Sequence, residues 1–127
     1  MQPKLIKINS FDFVQAHWSG KNNSGYAPFG DRVLVQVDQA SDKAGSLHIT
    51  DDLKERLSMA AELGLLVAVG EGAFAWNADG TKMEGRKPIP GERVFIERYA
   101  GQLITGKDGN KYRVMDSKCI GAIQEKA

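Results

Sequence analysis

A chain of 127 residues has room for one core and an extension. Its 17 Lys and Arg stand against 16 Asp and Glu, with no basic block, which argues against nucleic acid as a partner. The single cysteine, Cys119, excludes an internal disulfide framework, and no apolar run approaches the ~20 residues of a membrane-spanning helix.

Residues 1–18 carry Leu5, Ile6, Ile8, Phe11, Phe13, Val14 and Trp18, too many large apolar groups for a disordered tail. Trp18 reads as a packing residue. Lys4, Lys7 and Asp12 interrupt any signal-peptide core. With the lone thiol, this makes the cytoplasm the expected compartment. Ser19 to Gly25 has the composition of a flexible linker.

Pro28-Phe29-Gly30 then marks a turn before a strand. Val33, Val35 and Val37 alternate there with Arg32, Gln36 and Asp38, which predicts a strand buried on one face. A polar stretch, Gln39 to Lys43, leads to Gly45-Ser46-Leu47-His48-Ile49. Asp52 to Gly64 predicts a helix, with Asp52 as N-cap, Glu55 completing a capping box, and Gly64 as the stop. Leu53, Leu57, Ala60 and Ala61 share one face of it. So short a helix needs a surface to pack on.

Leu65 to Val69 is a continuous apolar run and predicts a buried strand. Phe74 to Met83 predicts a hairpin turning at Asp79-Gly80. Arg93 to Ala100, Lys111 to Met115 and Cys119 to Gln124 predict the remaining strands, with a turn at Lys107 to Asn110. Short strands with a turn every ten or so residues indicate an all-β, closed or nearly closed barrel.

Catalytic groups are thin. His17 and His48 lie in different segments without ligand-spaced companions, so neither a metal nor a cofactor is expected. Cys119 sits in an apolar context that favours an inert thiol. Gly70-Glu71-Gly72 lacks the third glycine, the lysine and the following helix of a phosphate loop. No nucleotide-binding fingerprint is present that would make the chain a dehydrogenase subunit.

Four segments, in order, carry a family resemblance. Pro28-Phe29-Gly30-Asp31-Arg32-Val33-Leu34-Val35 resembles the opening Pro-Leu-x-Asp-Arg-Val-x-Val of the GroES co-chaperonins. Leu66-Val67-Ala68-Val69-Gly70-Glu71-Gly72 resembles that family's Val-Leu-Ala-Val-Gly-x-Gly. Tyr99-Ala100-Gly101 and Ile120-Gly121-Ala122-Ile123 resemble its Lys-Tyr-Ala-Gly and closing Ile-Leu-Ala-Ile. The resemblance implies a GroES-like irregular barrel over 26–127 and an added N-terminal extension and linker over 1–25. The added N-terminus and altered loop suggest a divergent member, phage-encoded or a specialised paralog.

The resemblance also implies a function: a lid of seven identical chains on an ATP-driven, GroEL-type chaperonin ring, without catalysis on this chain. The family's mobile loop carries Gly-Gly-Ile-Val-Leu, which maps onto Gly45, Ser46, Leu47, His48 and Ile49 as the chaperonin-binding residues. Here Ser46 replaces the second glycine, His48 replaces an apolar residue, and the following stretch is longer and helical in pattern. Read without the family, Leu47 and Ile49 are equally spaced as the inward face of an ordinary strand. The family's first and last strands meet between neighbours, which implies an interface of Arg32, Val33 and Val35 against Ile120, Ala122 and Ile123. Its roof hairpin maps onto Phe74, Trp76, Asp79 and Gly80, with Phe74 and Trp76 either core or roof. A second reading is a GroES-fold structural or assembly protein, for example of a phage, that no longer binds a chaperonin.

Overall fold

The computed structural model describes residues 5–8, 11–40, 43–44, 47–48 and 50–125. In chain order the elements are β1 (Leu5–Ile8), β2 (Phe11–Val14), β3 (Arg32–Val37), β4 (Gln39–Ala40), β5 (Lys43–Ala44), β6 (Leu47–His48), α1 (Asp51–Ala60) and β7 (Leu63–Val69). They continue with β8 (Arg93–Ile96), β9 (Gln102–Thr105), β10 (Lys111–Asp116), a 3-10 turn (Ser117–Cys119) and β11 (Ile120–Ile123).

Six strands form one antiparallel sheet in the order β11-β8-β7-β3-β10-β9. The protein is therefore all-β with one short helix. A second antiparallel sheet, β1-β2-β4, is built from the N-terminal strands and the residues just past β3. Among the described residues, strands β5 and β6 form a separate two-stranded sheet.

Two apolar clusters cover the two faces of the large sheet. Val33, Val35, Leu66, Val94, Ile96 and Met115 pack together on one face, capped by Phe74. Leu34, Leu65, Val67 and Tyr112 pack on the other, covered by Ala16 and Trp18. Strand β3 is consequently buried on both faces, with Leu34 as fully enclosed as Val33 and Val35. The alternation of Val33, Val35 and Val37 predicts one buried face. The second is closed by Ala16 and Trp18, well before the strand in sequence, and no local periodicity carries that information.

The stretch read as a linker is an ordered turn. Ser24 is buried, its amide and hydroxyl both donate to the Asn22 side-chain carbonyl, and its main-chain oxygen accepts from the Lys107 amide. Asn and Ser favour linkers and turns for the same reason, their local side-chain-to-backbone bonds. Composition alone does not separate the two.

The helix also shifts from its expected frame. Thr50 is the N-cap, its hydroxyl accepting from the Leu53 amide, and Asp51 and Asp52 stand in the first turn. Both positions suit the positive end of the helix dipole. Gly64 is not the stop. It lies in β7, where an added Cβ would fall 2.4 Å from Val35 Cγ1, so glycine is there for packing. Gly70 and Gly72 instead donate their amides to Arg32 and Gly30 carbonyls, closing the turn after β7 on the start of β3.

The hairpin after β7 turns at 77–80. The Gly80 amide donates to the Asn77 carbonyl, Trp76 and Lys82 form a bridge, and Gly80 takes the left-handed conformation its position demands. The Thr81 hydroxyl and amide bond the Asp79 carboxylate and hold its pKa below the ordinary range.

Candidate functional site

The segment expected to dock follows β3. Leu47 and His48 form β6, with Ala44 opposite Leu47 and Lys43 opposite His48. Gly45, Ser46 and Ile49 lie outside the described residues. Strand β6 belongs to neither of the larger sheets. The backbone of Leu47 is thus not part of the six-stranded sheet that contains the core.

Both ends of this segment are tied to the rest of the protein. At its start, Gln39 and Ala40 pair with Val14 and Phe13 of β2. Just upstream, the buried Asp38 carboxylate accepts two bonds from Arg93, each 2.8 Å, and a third from the Ala16 amide at 2.8 Å. A bidentate guanidinium on a carboxylate fixes both orientation and distance. It joins the N-terminal extension, the end of β3 and β8 in one place.

At its far end, α1 rests Leu53 and Leu57 on the buried pair Phe13 and Ala40. The carbonyls at the C-terminal end of α1 would otherwise lack partners. The Met59 carbonyl accepts from the Tyr99 amide at 2.7 Å, and the Glu62 carbonyl from the Ile96 amide at 2.7 Å. The Ala61 carbonyl accepts from Arg113 Nη1 at 2.9 Å.

Arg113 is the least expected residue of the site. It is fully enclosed, yet its four hydrogen bonds all go to main-chain oxygens: Ala61, Glu97, and Ala100 twice. Burial lowers its pKa from the ordinary guanidinium value. One side chain on β10 therefore knits the end of α1 to the bend at 97–101. Gly101, with positive φ, sits tight in that bend, since an added Cβ would lie 2.0 Å from the Val114 carbonyl oxygen.

Sequence reasoning passes over Phe13, Asp38, Arg93 and Arg113. The signal in hand was the excess of apolar residues in 1–18, which requires a surface to cover. Asp38 and Arg93 are 55 positions apart, and nothing local links them.

The expected interface residues divide. Arg32 is exposed, but Val33 and Val35 are fully enclosed in the chain's own core, and β3 has β7 and β10 on its two edges. For the two valines the assignment is corrected: their side chains are spent in the chain's own core and β3 has no free edge, whereas Arg32 stays open to a neighbour. Strand β11 lies at an edge, with Ile120 and Ile123 half-buried and Ala122 exposed. Nearby on the surface, Phe95 pairs with Ala122, and before β3 Tyr26 and Phe29 are exposed, Phe29 by 81%. The hairpin aromatics divide too, Phe74 in the core and Trp76 at the surface.

Cys119 belongs to the 3-10 turn rather than to the last strand. Burial, and then the Glu97 carboxylate, push its pKa up, so it is a thiol at neutral pH. A cleft of about 600 Å³ opens between α1 and β4, with Asp51, Glu55 and Lys111 in its wall. Among the described residues, no three His, Cys, Asp or Glu converge as a metal site, and no helix is long and apolar enough to cross a membrane.

Residues 25–124 match the sequence family described as the chaperonin 10 kDa subunit. The co-chaperonin GroES of Lactobacillus acidophilus is 34% identical over 99 residues, which cover 77% of this chain and 97% of that protein. The co-chaperonin GroES of a Bacillus species is 32% identical over 97 residues, 76% of this chain and 95% of that protein. The 20 kDa chaperonin of Arabidopsis thaliana chloroplasts is 35% identical over 101 residues, 76% of this chain and 36% of that longer protein.

Proposed function

The chain belongs to the chaperonin 10 kDa subunit family, and from that premise we propose that it caps an ATP-driven, GroEL-type chaperonin as a ring of seven chains. Its function is that of a co-chaperonin assisting protein folding. The observation that carries this is the family match over 25–124, which takes in the whole six-stranded sheet. Nothing favours a structural protein that has given up its chaperonin.

The finer assignments are ours. Gly45 to Ile49 are the docking residues, and Leu47 and Ile49 supply the apolar contact. Two large aliphatics, each contributing ~1.5–3 kcal/mol on full burial, make a weak single ligand once loop ordering is subtracted. Several such loops on one ring raise avidity by orders of magnitude. Weak single contacts also let the lid leave when the partner's nucleotide state changes. The catalytic chemistry is the partner's ATP hydrolysis, and the compartment is the cytoplasm.

The ring contact we assign to the outer edge of β11, with Ile120, Ala122 and Ile123, meeting the segment around Tyr26 and Phe29 of a neighbour. Support comes from the edge position of β11 and the exposed aromatics on both sides. A sheet edge in this position is an aggregation hazard unless another chain covers it. Light scattering coupled to gel filtration should give a mass near seven times 13.9 kDa. A stable monomer at micromolar concentration contradicts the ring. Phe29→Asp should shift the distribution toward smaller species, and an unchanged mass would move the contact elsewhere.

A further inference from the structure

We infer that the N-terminal extension clamps both ends of the docking segment, an inference that rests on the co-chaperonin reading of Gly45 to Ile49 for its purpose but not for its geometry. The extension lies almost wholly outside the region that matches the family, and yet it is built into the fold. Phe13 is 5% exposed and is the shared floor of the two ends: it pairs with Ala40 on the upstream side and carries Leu53 and Leu57 of α1 on the downstream side. Two residues before Ala40, the Asp38 carboxylate accepts from the Ala16 amide while Arg93 donates to both of its oxygens. Ala16 and Trp18 then cover Leu34 on the sheet itself, which anchors the clamp to the core.

Only Ser58 is buried within α1, and ten residues are too few for a helix to persist alone. Its C-terminal end is tied down by Tyr99 on the Met59 carbonyl and by Arg113 on the Ala61 carbonyl, and its Leu53 and Leu57 rest on Phe13 and Ala40. A clamp of this kind orders the stem of the loop before the partner arrives. Docking then costs less conformational entropy, and the reach of the docking residues is set by the framework.

The test uses the full chain and hydrogen exchange without any partner. In Phe13→Ser, the amides of Leu53 to Leu57 should exchange at least about tenfold faster while those of β3 and β10 stay as slow as before. Unchanged exchange in α1 overturns the clamp. Should β3 and β10 also accelerate, a reversible version decides. Phe13 and Ala40 are direct cross-strand partners, about 4.5–5.5 Å apart at Cα, within disulfide range. The variant carrying Phe13→Cys and Ala40→Cys, with Cys119→Ser, should protect α1 about tenfold more when oxidised than when reduced, and equal protection in the two states overturns the proposal. Capture by a GroEL-type ring with ATP is the second arm. Phe13→Ser should be captured at least about fivefold more weakly than the native chain. Equal capture despite a loosened α1 overturns the docking purpose. A native chain that is not captured refutes the co-chaperonin reading instead, and leaves the exchange result to decide the clamp.

Discussion

Changing Leu47 and Ile49 together to Ser should abolish capture by a chaperonin ring while the proposed oligomer keeps its mass. Each substitution removes ~1.5–3 kcal/mol of gross apolar contact from every loop. In the proposed ring the loss would be repeated in each chain, so an avidity built on several weak contacts should collapse rather than weaken in proportion. The chain's own fold should be indifferent, because among the described residues β6 pairs with β5 and is not part of the six-stranded sheet. Circular dichroism and light scattering on the same sample separate the outcomes. Loss of capture with an intact ring is the expected result. An unfolded variant would make the two residues core, and undiminished capture would place the contact elsewhere in the chain.

The second large effect concerns stability. Arg113→Met should cost about 3–5 kcal/mol, close to the largest loss a single substitution brings. Methionine fills much of the volume but donates no hydrogen bond. The carbonyls of Ala61, Glu97 and Ala100 would lose a charged donor inside the fold, and a buried acceptor left without a partner costs about 1–3 kcal/mol. Replacing a buried ionic group by an apolar one is often harmless when both partners go. Here the main-chain partners cannot be removed. Urea unfolding monitored by Trp fluorescence should show a lower midpoint with an unchanged slope. A shift worth less than about 1 kcal/mol would mean that water replaces the guanidinium, and that the bend at 97–101 does not depend on Arg113.

Much of this fold is legible in the chain, for identifiable reasons. The run Leu65 to Val69 and the turn at Asp79-Gly80 depend on neighbours in sequence, and both are found as expected. The helix is legible in kind and its N-cap is off by two residues, because Thr50, Asp51 and Asp52 are all competent caps and only the tertiary position of Leu53 and Leu57 selects among them. Gly64 misleads because a glycine after a helical pattern and a glycine under a crossing side chain look alike until Val35 is placed.

What escapes the sequence is long-range. The outer face of β3 is covered by Trp18, the Asp38 carboxylate is met by Arg93, and Arg113 reaches across to α1. Each depends on a pairing register that one strand does not announce. The interface error has the same origin. The opening motif from Pro28 to Val35 marks the family, but in the folded chain its valines close the core, and the exposed aromatics lie just before them at Tyr26 and Phe29. The proposed docking residues rest on the family resemblance, since Leu47 and Ile49 at alternate positions suit a strand equally well.

The co-chaperonin assignment is tested most directly by capture of the native chain on an immobilised GroEL-type ring, with ATP and without it. The account predicts saturable binding in ATP, at about one seven-chain lid per chaperonin ring, and release on washing without nucleotide. No binding in ATP, or binding that ignores the nucleotide, would contradict it.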